Sequence, residues 1–283
     1  MTVLALALVI SSALFHAIWN LHAKESEDKL LFLWQILAVG CLLFLPLVLL
    51  GPWPTLPRRG WGYIVGSGAI HASYYFFLAQ AYERGDLSLV YPLARGSAPI
   101  FVVFSAFLFV GERPSAQGLL GIGSIVLGVL VLHIVPGRSL DLLRGSHVLR
   151  ALITGVTIAS YSTVDKLGVT IIHPLPFLFY LQLVSFILLA PWVITTRPKR
   201  RLIPVGHNPG RVLIAGGCQN IAYLLVLSAM TLAKVSYVVA AREVNVIFGA
   251  ALGGWWLQEG YGRQRGLASA YIAVGLVLLG SSK

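Results

Sequence analysis

Two stretches of the chain, SLVYPLARGSAPIF at residues 88–101 and VSYVVAAREVNVIF at residues 235–248, place an arginine at the same register of an apolar run. An arginine inside a membrane segment costs about 2.5–3.5 kcal/mol on insertion scales, so each side chain needs a compensating partner. Residues 88–133 align with residues 235–280 without a gap, and polar residues take part in the match. The matched pairs include Arg95 with Arg242, Glu112 with Glu259, Gln117 with Gln264 and Gly128 with Gly275. The alignment therefore indicates an internal duplication.

The composition indicates the class of protein. Of the 283 residues, 57% are hydrophobic and 11% are charged, and the mean hydropathy is +0.83, which is outside the range of soluble domains. Crossing a bilayer core about 30 Å thick takes roughly 20 apolar residues in a helix. We therefore predict an all-α membrane protein with ten transmembrane helices, at residues 2–21, 30–50, 61–83, 87–110, 117–135, 147–167, 174–196, 210–232, 236–257 and 264–281.

The duplication divides these helices into two sets of five. We predict a first five-helix repeat over residues 1–135, a linker over 136–146 and a second five-helix repeat over 147–283. Because five is odd, the second repeat enters the membrane from the opposite side. Such inverted repeats are typical of secondary transporters, whose substrate site lies between the halves near the middle of the bilayer.

The formal net charge of +11 comes mostly from lysine and arginine between the apolar runs. Loop charges that set topology and contact lipid headgroups explain this excess better than nucleic-acid binding, which we exclude. The loops after odd-numbered helices carry the larger share, and the positive-inside rule then places both termini outside. Cys41 and Cys218 lie in separate apolar runs, so we predict no disulfide, metal site or cofactor.

The two intramembrane arginines are the strongest candidates for a binding site. Glu243 is the only carboxylate placed beside them deep in a predicted helix, and one carboxylate cannot neutralise two guanidinium groups. We predict that Glu243 pairs with Arg95, and that an anionic ligand satisfies the remaining positive charge. Local neutralisation of both arginines is the structural alternative.

Further candidates are polar or aromatic side chains that recur on helix faces. The predicted substrate-binding set is completed by His16, Trp19, Asn20, Tyr75, Tyr91, Tyr161 and Asn245. His71, Tyr82, Gln219, Asn220 and Tyr223 extend the polar faces of the third and eighth segments. For each of these, interhelical hydrogen bonding is the alternative to ligand contact. The candidate proton carriers are Glu243, Asp165 and His16.

Two glycine and proline patterns lead to structural predictions. The run GLLGIGSIVLG at residues 118–128 lies within a predicted helix, so we interpret it as a surface for close helix packing rather than a phosphate loop. Pro92 and Pro99 are expected to bend or open the fourth helix. Glu112 and Glu259 are expected to cap or brace the helix that follows each of them.

The runs HAIWNLHAK, SLVYPLARGSAPIF, FLFVGERPSAQGLLGI and VSYVVAAREVNVIFGAALGGWW resemble EamA-type members of the drug/metabolite transporter superfamily. The resemblance covers essentially the whole chain, but Gln258 stands where the first half has Gly111. It implies a ten-helix secondary transporter with a central cavity that moves metabolites, amino acids or nucleotide and phosphate derivatives. It also implies cytoplasmic termini, in conflict with the charge count, so the orientation stays open.

The sequence therefore predicts a transporter, not an enzyme, in a bacterial inner membrane, as a monomer or weak homodimer. Its substrate is expected to be a small organic anion or a zwitterionic metabolite, carboxylate, amino acid or phosphate/phosphonate-like, moved by proton coupling or exchange. Metabolite export is the expected activity, and the sequence does not distinguish it from import. The alternatives are a lipid-headgroup flippase and an intramembrane enzyme using His16, His71 or Asp165, for which no nucleophile–base motif is present.

Overall fold

A computed structural model describes the backbone of residues 1–84, 87–133, 146–196, 209–248 and 263–282. Helices occupy the described parts of the predicted apolar segments. They are α1 (Val3–Glu25), α2 (Lys29–Leu50), α3 (Arg58–Arg84), α4 (Leu87–Ser105), α5 (Ala116–His133), α6 (Ser146–Val169), α7 (Pro174–Thr196), α8 (Pro209–Leu232), α9 (Val235–Arg242) and α10 (Arg263–Ser281). The predicted linker lies largely outside the described residues.

Local signals explain where several helices begin. The Thr2 hydroxyl accepts a hydrogen bond from the Ala5 N–H at 3.2 Å, and the Asp28 carboxylate accepts one from the Leu31 N–H at 3.0 Å. Both side chains satisfy a backbone donor that has no partner within the helix. Helix α7 begins at Pro174 and α8 at Pro209, where proline loses no helical hydrogen bond.

The backbone departs from a regular α-helix at two places. α4 is assigned as helix through Pro92 and Pro99, where the bend or opening stays a prediction, and the helix widens into a π-helical turn at Ala106–Val110. Gly111 ends this turn in the left-handed conformation, with φ of 75°. The ninth predicted segment is interrupted immediately after Arg242 by a turn at residues 243–244, and helical residues follow at 245–248.

The length and surface of the helices are those of a multi-pass membrane protein. Among the described residues, Val3–Ala23, Lys29–Leu50, Pro174–Thr196 and Pro209–Leu232 are long and apolar enough to cross a bilayer, and α4, α5 and α10 contain shorter apolar segments. Large apolar side chains such as Leu49, Phe109 and Val277 are about 70% exposed. Such a surface suits contact with lipid. The number of crossings, ten from the sequence, stays a prediction.

The helix contacts are arranged as expected for two equivalent halves. α5 packs on α10 and α2 packs on α7, and each of these pairs joins equivalent helices of the two halves. α1 packs on α8 and α3 packs on α6. Because the repeat relates α1 to α6 and α3 to α8, these two contacts are equivalent to each other. On α5, Gln117 donates to the Ser281 hydroxyl at 2.7 Å and Ser124 donates to the Tyr271 carbonyl at 2.7 Å. The residue numbers rise on α5 while they fall on α10, so these equivalent helices run antiparallel.

Glycines bring α5 and α10 into close contact, as predicted from the run at residues 118–128. A Cβ atom on Gly128 would lie 2.8 Å from the Ala268 carbonyl oxygen, and one on Gly275 would lie 2.7 Å from the Gly121 carbonyl oxygen. Both distances are shorter than real Cβ contacts, and the obstructing atoms belong to the backbone. The two helices therefore approach at a distance that a side chain would prevent.

Gly128→Ala is expected to destabilise the protein by about 1–3 kcal/mol, because α5 and α10 must move apart to admit the methyl group. Gly123 lies on the same helix, and a Cβ atom there would meet nothing within 4 Å. Gly123→Ala is therefore the matched control, and it should leave stability unchanged or raise it by up to about 1 kcal/mol. Thermal unfolding of both variants in one detergent makes the comparison. A Gly128→Ala midpoint at or above that of Gly123→Ala would contradict the packing argument.

Candidate functional site

A small cavity lies where α1, α3 and α6 meet α8 and α9. Its volume is ≈ 20 Å³, which is room for about one water molecule. The lining side chains are mostly aromatic, with one cation among them: His16, Trp19, His71, Tyr74, Tyr75, Tyr161, Gln219, Ala222, Tyr223 and Arg242. Both repeats contribute, so the cavity lies at the interface of the two halves.

The first half of the chain holds the beginning of α9. The Glu112 carboxylate accepts hydrogen bonds from the Val235 N–H at 2.7 Å, the Ser236 N–H at 3.2 Å and the Ser236 hydroxyl at 2.9 Å. An anion at a helix N-terminus satisfies free N–H groups and interacts favourably with the helix dipole. Glu112 thus has the predicted structural role, but the helix that it caps is α9 of the other half and not α5. This contact positions the helix that carries Arg242.

Arg242 is the last residue of α9 and is 7% exposed. Its Nη2 atom lies 3.3 Å from Nδ1 of His16, and its guanidinium carbon lies 5.4 Å from the centre of the Tyr223 ring. Within the described part of the chain, no carboxylate lies within 4.0 Å of it. The groups in contact with this buried cation are thus an imidazole and an aromatic ring.

Arg95 has a different environment. Its Nε atom lies 3.2 Å from Oε2 of Glu243, and both side chains are at most 4% exposed. The ion pair predicted from the sequence is therefore present, joining α4 of the first half to the turn after α9 in the second. Arg95 does not line the cavity. The two arginines of the repeat have diverged, since one is paired with a carboxylate and the other faces the cavity.

His16 and Trp19 are brought to the cavity by their spacing on one face of α1. The Trp19 Nε1–H donates to Nδ1 of His16 at 3.1 Å, and Arg242 approaches the same nitrogen. Both neighbours are donors, so Nδ1 acts as an acceptor and the imidazole is neutral with its proton on Nε2. His16 therefore adds no positive charge to the cavity in this arrangement.

Asp165 lies behind the cavity wall and is 0% exposed. Its carboxylate accepts hydrogen bonds from the Ser67 and Tyr223 hydroxyl groups. Nδ1 of His71 lies 3.0 Å from the Ser67 carbonyl oxygen, and the His71 ring stacks on Tyr161 at a centroid distance of 4.0 Å. Asp165, Tyr161 and His71 were candidates from the sequence. Ser67 was missed because a serine in an apolar helix gives no distinguishing signal.

The remaining candidates fall into two groups. Tyr75 lines the cavity, and its hydroxyl accepts a hydrogen bond from Nε2 of Gln219 at 2.9 Å. Tyr74, which sequence reasoning missed, lies beside it in the lining. Asn20 is partly buried, Asn245 is buried, and neither lines the cavity. The side chain of Tyr91 lies outside the described part of the structure.

No group of three or more histidine, cysteine, aspartate or glutamate side chains close enough to hold a metal ion occurs among the described residues. Cys41 and Cys218 are free thiols. The cavity lining offers a guanidinium, imidazoles, an amide and hydroxyl groups for ionic and hydrogen-bonding contact.

Comparisons with known proteins place this fold. One solved crystal structure aligns with 98% of this chain, and 96% of its own chain is covered, with a TM-score of 0.80 and 18% sequence identity. At this identity the likeness concerns the fold alone. None of the functionally curated proteins compared with the chain matches it.

The sequence model of the EamA-like transporter family matches the chain twice, over residues 3–134 and again over residues 145–281. Each match covers one half of the duplicated chain, which accounts for the pairing of equivalent helices and for a cavity between the halves. The chain belongs to the EamA-like transporter family, within the drug/metabolite transporter superfamily, and is a multi-pass membrane transporter.

Proposed function

We propose that the protein is a secondary transporter of a small organic anion and that Arg242 is the cation that meets the substrate. The observation that carries this proposal is the position of Arg242, buried in the cavity lining without a carboxylate partner in the described residues. Burying an unpaired charge is costly, so such a guanidinium favours a ligand that supplies the negative charge.

The charge balance of the surrounding groups supports an anion over a zwitterion. Glu243, which the sequence offered as a partner for a substrate ammonium group, is engaged by Arg95. His16 is neutral in its hydrogen-bonding arrangement. The cavity itself therefore presents one positive charge, and a planar guanidinium suits two-point contact with carboxylate or phosphonate oxygens.

The aromatic lining supports an organic substrate. Trp19, Tyr74, Tyr75, Tyr161 and Tyr223 present ring faces and edges to the cavity. Such rings pack well against the apolar body of a ligand, while their polar atoms keep hydrogen-bond partners. An inorganic anion would leave this surface unused.

At ≈ 20 Å³ the cavity holds about one water molecule, so a metabolite enters only when the surrounding helices separate. Transport then requires the helices around the cavity to separate on alternate sides of the membrane. Ten crossings arranged as two inverted repeats supply two equivalent ways of opening, which is the usual basis of alternating access. Proton coupling or exchange would drive the movement, because no nucleotide-binding motif is present in the sequence.

Counterflow into proteoliposomes tests the proposal. The panel consists of labelled carboxylates, phosphate esters and phosphonates, with zwitterionic and cationic analogues that share their carbon skeletons. A parallel assay with labelled phospholipid in the vesicle membrane separates metabolite exchange from lipid movement. We expect exchange of at least one anion and none of its cationic analogue. Exchange of the cationic analogues alone, or movement of labelled phospholipid without any panel compound, would overturn the proposal.

A further inference from the structure

Asp165 is a carboxylate with an unusual set of neighbours for a buried acid. It is fully buried on α6, and within the described residues no lysine, arginine or histidine lies within 4.0 Å of it. Its hydrogen-bond partners are the hydroxyl groups of Ser67 on α3 and Tyr223 on α8. A buried acid held only by hydroxyl groups differs from one held by a cation, because hydroxyl groups donate and accept.

This difference determines which protonation states the surroundings can satisfy. An ionised Asp165 accepts a hydrogen bond from each hydroxyl, as observed. A protonated Asp165 donates to the Ser67 oxygen, and the Ser67 hydroxyl then turns towards Nδ1 of His71, which lies 3.2 Å away. With its proton on Nδ1, His71 donates to the Ser67 carbonyl oxygen, so accepting the Ser67 hydroxyl requires that proton to move to Nε2. The protonated state of Asp165 therefore exchanges one His71–Ser67 hydrogen bond for another, by hydroxyl rotation and a tautomer change, without side-chain displacement.

The other two candidate proton carriers lack this freedom. Glu243 is fixed by the Arg95 guanidinium, which donates only, so protonation of Glu243 would break the pair. Nδ1 of His16 accepts from Trp19 and faces Arg242, so protonating this nitrogen would set a donor against two donors. Asp165 alone among the three has partners that suit both of its states.

Asp165 is also connected to the cation in the cavity. The Tyr223 hydroxyl bonds Asp165, and the ring of the same residue lies against the Arg242 guanidinium. The titratable and charged groups that face Asp165 are His71 and Tyr75 on α3, Tyr161 on α6, Tyr223 on α8 and Arg242 on α9. Arg242 is the only permanent charge in this set.

We infer that Asp165 is the proton-binding site of the transporter and that Tyr223 links it to anion binding at Arg242. One proton from the aqueous phase binds the Asp165 carboxylate on one side of the membrane and leaves it on the other, while one substrate monoanion travels in the same direction. The proton and the monoanion together add no net charge to the interior of the protein. The coupling step rests on the proposed function, whereas the proton-binding step does not.

Infrared difference spectroscopy tests proton binding without a substrate. Spectra of the protein in liposomes are compared at mildly alkaline and mildly acidic pH, with and without ¹³C in the aspartate carboxyl group. We expect a carboxyl C=O band that grows on acidification, shifts with the isotope, disappears in Asp165→Asn and persists in Asp28→Asn. Asp28 is the matched control, since it caps α2 outside the cavity. Absence of such a band, or its persistence in Asp165→Asn, would overturn the inference.

Two further variants keep the test decisive if Asp165→Asn fails to fold. Ser67→Ala and Tyr223→Phe each remove one hydroxyl partner, so the aspartate band should change frequency in both. An unchanged band in both variants would overturn the assignment.

A transport assay with the labelled panel anions separates this inference from the proposed function. Asp165→Asn should retain exchange at equal pH and lose accumulation driven by a pH gradient. Retained gradient-driven accumulation in Asp165→Asn would overturn the coupling role. Failure of every panel anion in the wild-type protein would count against the proposed function, and the infrared result would still decide the proton site.

Discussion

Replacing Glu243 with leucine is expected to destabilise the folded protein by about 3–5 kcal/mol, because it removes the carboxylate partner of a buried arginine. Arg95 and Glu243 are 3.2 Å apart and almost wholly inaccessible, so solvent cannot replace the lost partner without rearrangement of α4 and α9. A guanidinium does not deprotonate in proteins, so Arg95 stays charged. Thermal unfolding in detergent measures the effect.

A double-mutant cycle supplies the control. Arg95→Met alone should cost less than Glu243→Leu, because an unpaired carboxyl group can take up a proton. The double variant should lie close to the wild-type protein, since apolar residues often replace a buried ion pair without loss of stability. Additive losses in the double variant would show that the two side chains are not energetically coupled.

Arg242→Ala is expected to reduce anion transport about tenfold to a hundredfold while the protein still folds. A hydrogen bond to a charged group contributes roughly 1.5–3 kcal/mol, and each 1.4 kcal/mol is about tenfold in affinity. The loss should appear mainly as a higher KM if Arg242 holds the substrate in the ground state. Arg242→Lys should retain part of the activity, because it keeps the charge but not the planar pair of donors.

Arg211→Ala is the matched control for this measurement. Arg211 lies near the start of α8. Its side chain is 47% exposed, and its Nη1 atom lies 3.3 Å from Oε2 of Glu25. Surface pairs of this kind contribute little, so transport should be nearly unchanged. Equal transport by Arg242→Ala and Arg211→Ala, with wild-type KM, would remove the basis for an anion site at Arg242.

Several features of the site were predictable from residue types alone. Arg95, Glu243 and Arg242 stand out because charged residues in apolar segments are costly and need partners. The face of α1 that carries His16 and Trp19 follows from helical spacing. Ser67 and Tyr74 were not predictable, because a serine or tyrosine in a membrane helix is common and acquires significance only from its neighbours.

Hydropathy and the repeated arginine register depend only on the order of residues, so they are enough to identify a helical membrane protein made of two related halves. Which arginine is neutralised depends on how the helices pack. Arg95 and Glu243 lie on different halves, and their pairing depends on the distance between α4 and the turn after α9. The same holds for Asp165, whose hydroxyl partners come from α3 and α8. Ionic and hydrogen-bonding contacts act over a few ångströms. The number of residues between two positions in the sequence does not give the distance between their side chains in the folded protein.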